Sequence, residues 1–255
     1  MASSSESANK EDGGRHSSQP IFKLLAVPSQ NYRHNIRIIY LFIYNLLQFC
    51  GHSWIFSNMT VRFFSFGEVA LADTFYSIGV VMSFCQLLSV LELCHILDGI
   101  ENSWLLPRVL QVLERNVLLF VVIASQEEVQ SKYIVCVLFY LWSMLDLLKY
   151  PYDLLSLIST PFYTIAWIRH TLCIPLYPLA ILAEVVTIYQ SLPYFETLGT
   201  FSFELTFPVP LFIHFTYVLQ FYMPVLAIGG GIHVSNLLLE RSQHLGDYNK
   251  EKKNN

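Results

Sequence analysis

Six long apolar stretches, parted by short charged or turn-rich breaks, make up most of this chain. A helix needs about 20 apolar residues to cross the hydrocarbon of a bilayer. The first stretch, roughly Ile38 to Phe56, meets that length and sets Trp54 at its far interface, with Arg33 and Arg37 just before it. A second runs roughly from Phe75 to Leu97 and contains Glu92 and His95. The third, about Trp104 to Ala124, is the weakest by hydropathy, because Arg108, Glu114 and Arg115 interrupt it, and it needs bundle partners in lipid. The fourth covers about Tyr133 to Leu148, has Asp146 and Lys149 at its end and continues towards Ile158. The fifth occupies about Phe162 to Tyr189, its hydrocarbon part starting after Arg169 and His170. A loop rich in Pro, Phe and Glu follows, and the sixth runs roughly from Leu211 to Leu239, broken by Gly229, Gly230 and Gly231. The pattern predicts an all-α, polytopic membrane protein of six transmembrane helices, with no internal repeat.

Composition agrees with that class. Hydrophobic residues make up 54% of the chain and charged ones only 13%, which is too apolar for an ordinary soluble domain. Cys50, Cys85, Cys94, Cys136 and Cys173 all fall inside apolar segments without C-x-x-C or His/Cys ligand spacing, so they read as free, buried thiols. No metal or cofactor is expected, and no basic patch interleaved with exposed aromatics suggests nucleic acid.

The ends differ from the middle. Residues 1–30 are Ser-, Gly- and charge-rich and lack the apolar core of a signal peptide, so they read as a disordered tail. Residues 31–240 would hold the six spans, and residues 241–255 a second polar tail. An even number of spans puts both tails on one side, and basic residues decide which. Arg33 and Arg37 precede the first span, and Arg241, Lys250, Lys252 and Lys253 follow the last, whereas the loop from Ser191 to Pro210 has neither Lys nor Arg. Both tails should therefore be cytosolic. The final KKNN resembles the dilysine retrieval signal of endoplasmic-reticulum membrane proteins. Asn58-Met59-Thr60 matches a glycosylation sequon on the lumenal side, but so close to the end of the first span that it is expected to stay unmodified.

The candidate chemistry lies between Arg169 and Glu196, RHTLCIPLYPLAILAEVVTIYQSLPYFE, where Tyr177 and Glu184 stand in an apolar, proline-interrupted run. Seven residues is close to two helical turns, so the two side chains share a face with backbones about 10 Å apart along the axis. A carboxyl group inside a lipid-length segment is costly and marks a functional site by default. Side chains on a helix lean the same way, so an undistorted helix keeps these two groups from bonding directly, and Pro175 and Pro178 are expected to kink or open it. Glu184 can also simply pair with an Arg such as Arg115, and an interfacial Tyr is commonplace. Glu92, His95, Glu114 and Arg115 read as pairs inside the bundle, His214 and His233 as packing or interfacial residues.

The run Leu176-Tyr177-Pro178, the Glu seven residues after the Tyr, and Thr187-Ile188-Tyr189 ahead of Leu192-Pro193 resemble the very-long-chain 3-hydroxyacyl-CoA dehydratases, also called the protein-tyrosine-phosphatase-like A family. The resemblance extends from YLFIYNLLQFCGHSWIF at Tyr40, through RFFSFG and ASQEEVQSKY, to about Tyr222. It implies loss of water from a 3-hydroxyacyl-CoA to give a trans-2-enoyl-CoA, the third step of fatty-acid elongation in the endoplasmic reticulum. It also implies work beside the condensing elongases and the ketoacyl-CoA and enoyl-CoA reductases. That reaction needs a base at C2, an acid for the hydroxyl leaving C3 and stabilisation of charge on the thioester oxygen. Glu184 is expected as the base, with Tyr177 assisting departure of water. Arg115, Lys149 and Arg169 are candidates for substrate binding; the last two, near the cytosolic ends of their spans, either meet the phosphates of CoA or snorkel to the interface.

Three positions depart from the family's pattern. Ala180 and Ala183 stand where relatives carry glycine, and their methyl groups narrow a close approach of substrate or helix; Lys149 replaces an Arg and its bidentate fork. A catalytically weak relative serving as a scaffold or regulator is the alternative these changes raise. A transporter would explain buried charges but often shows a repeat in its halves. A tyrosine phosphatase is excluded: its loop needs a Cys after the His and an Arg further on, and here Ile96 follows His95 and Asn102 stands in place of the Arg.

Overall fold

The computed structural model describes residues 22–97, 105–158, 163–205 and 211–254. Eight α-helices stand among them: α1 (Phe22–Phe66), α2 (Glu68–Ala72), α3 (Thr74–Leu97), α4 (Leu105–Val117), α5 (Glu127–Gln130), α6 (Tyr133–Ile158), α7 (Tyr163–Leu198) and α8 (Phe215–Asn254). A π-helical segment, Leu118–Ile123, extends α4. In hydrocarbon a backbone must satisfy its own polar groups, and long runs of Leu, Ile, Val and Phe do so as helix. Five helical stretches are long and apolar enough to cross a membrane: Asn35–Phe66, Thr74–Leu97, Tyr133–Ile158, Thr164–Leu198 and Phe215–Leu239. The third expected span, α4 with its π segment, is helical but shorter, and carries Arg108, Glu114 and Arg115.

Several expectations need correction. Residues 22–30, expected as disordered tail, belong to α1, where Phe22-Lys23-Leu24-Leu25-Ala26 supplies good helix formers. The second polar tail is likewise helical as far as Asn254. Residues 1–21 of the expected tail and Asn102 lie outside the described residues, as do the side chains of Arg33 and of Lys252 and Lys253 in the retrieval signal. The long loop before the last span is not wholly irregular: β1 (Phe203–Leu205) pairs antiparallel with β2 (Leu211–Ile213) in the register Phe203 to Ile213. Pro175 and Pro178 do not break α7, which runs unbroken through both and through Pro193. Each proline leaves one carbonyl of the preceding turn without its helical donor.

The chain divides into two units, Met1–Tyr40 and Leu41–Asn255. The described part of the first, residues 22–40, is helical. Within the second, α7 packs against both α6 and α8, and α3 against α4. Gly67 and Gly199 end α1 and α7 with positive φ, where glycine avoids the Cβ clash. Phe201 also takes a left-handed conformation, its ring 5.4 Å from that of Phe215, while Ser202 Oγ accepts from the Phe215 amide and caps α8.

Burial is inverted relative to a soluble protein. Ile43, Val80, Phe84, Leu182 and Phe221 face outward, whereas Gln48, His52, Gln86, Glu92, Asp146, Glu184 and Thr187 are buried. The interior also holds an apolar layer that includes Ile55, Met82, Phe139, Ile188 and Phe195. An apolar exterior wrapped round charged interior side chains is what a bilayer selects, since lipid replaces water as the outer solvent.

Candidate active site

One face of α6 organises the interior. Trp142, Asp146, Tyr150 and Asp153 follow one another at helical spacing, with Lys149 beside Tyr150, and each meets a partner from another part of the bundle. Deepest is Trp142, fully buried, whose Nε1–H donates to Glu184 Oε1 of α7 at 2.8 Å. The Arg115 guanidinium lies over the same indole, 5.5 Å from its ring centre. One turn on, Asp146 accepts two hydrogen bonds from Arg115, at 3.1 and 2.8 Å, and faces His52 Nε2 at 3.3 Å.

Next along α6 comes a second acidic centre. Glu92 of α3 accepts from Tyr44 at 3.1 Å, from Tyr150 at 2.9 Å and from the Lys149 ammonium at 2.6 Å, and also pairs with Arg108. Four donors around one carboxylate satisfy its lone pairs, which is how a buried charge becomes tolerable. Last, Asp153 pairs with Arg169 at 3.4 Å and with Lys149 at 4.0 Å, and Arg169 stacks over Tyr152.

Glu184 and Tyr177 differ from these satisfied groups. Each is almost wholly buried, yet Glu184 Oε2 and the Tyr177 hydroxyl have no hydrogen-bond partner among the described residues. They stand two turns apart on one face of α7, as the sequence predicts, and neither reaches the other. Arg115 and Glu114 of α4 lie within electrostatic range of both. A carboxylate oxygen and a phenol held dry, unpaired and beside a guanidinium can exchange protons with a bound molecule.

The remaining candidates are placed as follows. Arg115 is buried within electrostatic range of Glu184, but its hydrogen bonds go to Asp146, not to Glu184. Lys149 and Arg169 lie further along the bundle, in ion pairs with Glu92 and Asp153. Glu92 is a bundle-interior pair, as read from the sequence. Two neighbours of the site carry no mark of their role in the sequence. Trp142 lies in an apolar run that signals only packing, and His233 rests its ring on Tyr177. Asp146, an acid one helical turn from Trp142, lies near the end of the expected span, whose continuation towards Ile158 the sequence also suggests. The helix continues to Ile158, so Asp146 is interior. Asn58 lies within α1, and Thr60 Oγ donates to the Phe56 carbonyl at 2.7 Å, so the sequon sits in regular helix.

Helices apolar outside and charged within mark a multi-pass membrane protein. Residues 86–247 match the sequence profile of a family described as protein tyrosine phosphatase-like protein, PTPLA. The chain is 54% identical over 232 residues to human very-long-chain (3R)-3-hydroxyacyl-CoA dehydratase 4, covering 90% of this chain and 98% of that one. It is 57% identical over 215 residues to a very-long-chain (3R)-3-hydroxyacyl-CoA dehydratase of Xenopus laevis, covering 84% and 99% of the two chains. Mouse dehydratase 3 is 40% identical over 217 residues, 85% of this chain and 60% of its own. No solved structure matches. The chain belongs to the PTPLA family of dehydratases.

Proposed function

We propose that this protein removes water from very-long-chain (3R)-3-hydroxyacyl-CoA to give trans-2-enoyl-CoA, the third step of fatty-acid elongation. The observation that carries this reading is the pair of buried oxygens, Glu184 Oε2 and the Tyr177 hydroxyl, unpartnered on one face of α7. Together with the dehydratase names of relatives that match along nearly their whole length, the pair points to proton transfer on a bound acyl chain.

In this mechanism the acyl group lies between the two residues. Glu184 Oε2 takes the C2 proton, the C2–H electrons form the C2=C3 double bond, and the C3–O bond breaks. Tyr177 gives its proton to the departing oxygen, which leaves as water, and once the product has gone entering water relays the proton on Glu184 back to Tyr177 to close the cycle. Arg115, within electrostatic range of both groups, would stabilise charge on the thioester oxygen, the role of a preorganised cation in a dry site. Lys149 and Arg169 are the candidates for the CoA phosphates, and binding there would exchange Glu92 and Asp153 for phosphate oxygens.

The setting follows from the same reading. α4 and its π segment act as a sixth span, made tolerable by Arg115–Asp146 and Arg108–Glu92 pairing. Both tails then lie in the cytosol, where the basic residues flanking the first and last spans belong and where the C-terminal lysines would act in retrieval to the endoplasmic reticulum. Protease digestion of sealed microsomes should remove epitope tags from both ends. The elongases and the two reductases of the cycle are the partners proposed.

Membranes expressing the protein should convert a long-chain 3-hydroxyacyl-CoA to the enoyl-CoA. Tyr177→Phe and Glu184→Gln variants, at equal abundance, should each lose at least about a hundredfold in rate. A parent protein inert on every chain length while correctly localised would sink the dehydratase reading.

A further inference from the structure

The ring of His233, from α8, lies 4.1 Å from the Tyr177 ring, centre to centre, with the planes tilted by 43°. This contact brings a third polar atom to the site. His233 Nδ1 is buried and without a hydrogen-bond partner among the described residues, as is the Tyr177 hydroxyl. The two do not satisfy each other. An unpaired buried donor or acceptor is costly, so two of them on rings in contact call for a third group that pairs with both.

The position of His233 is fixed by how α8 crosses α7. Gly230, about one turn before His233, is buried so closely against Ile181 that a Cβ there would collide with that side chain. Ile181 lies one turn after Tyr177 and one turn before Glu184. The two helices therefore run in step, with Gly230 level with the middle of the Tyr177–Glu184 face and His233 level with its Tyr177 end. Tyr222, two turns before Gly230, falls within electrostatic range of Glu184 and Glu114 at the other end. One side of α8 thus walls the face of α7 that carries the chemistry.

A hydroxyl group fits the pair at the Tyr177 end. It donates one hydrogen bond and accepts others, whereas a phenol O–H is free to donate and an imidazole nitrogen without its proton to accept. Resting on the reading that a 3-hydroxyacyl group lies between Tyr177 and Glu184, we propose that His233 is a further catalytic residue. Its Nδ1 accepts a hydrogen bond from the 3-hydroxyl of the bound acyl chain while Tyr177 donates to the same oxygen. Two bonds fix the direction of the C3–O bond, which one could not do, and so select one orientation of the hydroxyl for departure. No proton moves to the histidine: as C3–O breaks, the O–H bonded to Nδ1 stays with the leaving water, and the second proton comes from Tyr177.

The test is a binding ratio measured without turnover. In purified full-length Glu184→Gln protein, affinities are compared for a 3-hydroxyacyl-CoA and for the saturated acyl-CoA of the same length. The hydroxylated ligand should bind about tenfold tighter, the worth of one or two net hydrogen bonds. Adding His233→Phe should bring that ratio close to one. His233→Asn, whose amide occupies the place of Nδ1, should keep most of it, whereas His233→Gln, whose amide reaches further, should not. If the Phe variant does not fold, the contrast between Asn and Gln decides. An unchanged ratio in the Phe variant, equal loss with Asn and Gln, or no preference in the parent overturns the assignment. Turnover by wild-type protein is scored separately: no conversion with the His233-dependent preference intact removes the dehydratase reading alone, and conversion without that preference removes this inference alone.

Discussion

Trp142 Nε1 donates to Glu184 Oε1 at 2.8 Å, and the other carboxylate oxygen, Oε2, is left unpaired. One hydrogen bond thereby distinguishes two chemically equivalent atoms. The indole is itself held by Arg115 over its face, and Arg115 by Asp146, so the orientation of Glu184 is set through three side chains on two further helices. Trp142→Phe keeps most of the packing volume and removes the donor. A bond to a charged group contributes about 1.5–3 kcal/mol, so kcat should fall roughly ten- to a hundredfold with KM within about threefold. Steady-state kinetics in detergent micelles would show this. A change confined to KM would mean that the indole only shapes the binding cavity.

Gly230 and Ile181 make a second prediction about α8. A Cβ at Gly230 collides with the Ile181 side chain, so Gly230→Ala must displace that side chain or push α8 away from the Tyr177–Glu184 face. Overpacking of this kind costs about 1–3 kcal/mol. The variant should melt several degrees lower and lose activity more than tenfold. Ile181→Val in the same molecule should restore much of both, because it removes the atom that the new methyl meets. Gly229 and Gly231 face open space, and Ala at either should change little.

How far the sequence reaches is plain from these residues. The length and apolarity of each run placed the helices, because lipid tolerates little else, and the two-turn spacing put Tyr177 and Glu184 on one face of α7. Partners across helices were not legible. Arg115 reads as one possible counter-ion for Glu184, whereas its hydrogen bonds go to Asp146. Trp142 inside an apolar run and His233 after three glycines carry no local mark of what they touch. Pro175 and Pro178 are expected to kink or open α7, which stays helical through both. The β1–β2 pair joins segments five residues apart, and hydropathy offers no signal for it.

Ala180 and Ala183 are both buried beside the site residues on α7. Ala180 lies one turn from Tyr177 and one from Glu184, so its methyl adjoins the face where an acyl chain would lie. Ala180→Gly should therefore widen the range of chain lengths accepted, read as kcat/KM across a series of 3-hydroxyacyl-CoAs. The helix should weaken by about 1 kcal/mol, seen as a lower melting temperature. An unchanged chain-length profile would place the methyl against a neighbouring helix and not against substrate.

Glu92 is the common partner of Arg108, Lys149, Tyr44 and Tyr150, and its side chain is 3% exposed. Glu92→Gln keeps the shape and removes the charge that balances two cations. Truncating one partner of a buried ion pair typically destabilises by about 3–5 kcal/mol, and the partial exposure of Arg108 and Lys149 at 15% and 18% places this site at the lower end. The variant should accumulate poorly and aggregate at a lower temperature, measured by size-exclusion chromatography after brief heating. Its kcat per folded molecule should stay within about threefold of the parent, because Glu184 and Tyr177 keep their own neighbours, Trp142 and His233. A fall in kcat as large as that from Glu184→Gln, with normal abundance, would instead move Glu92 into the reaction.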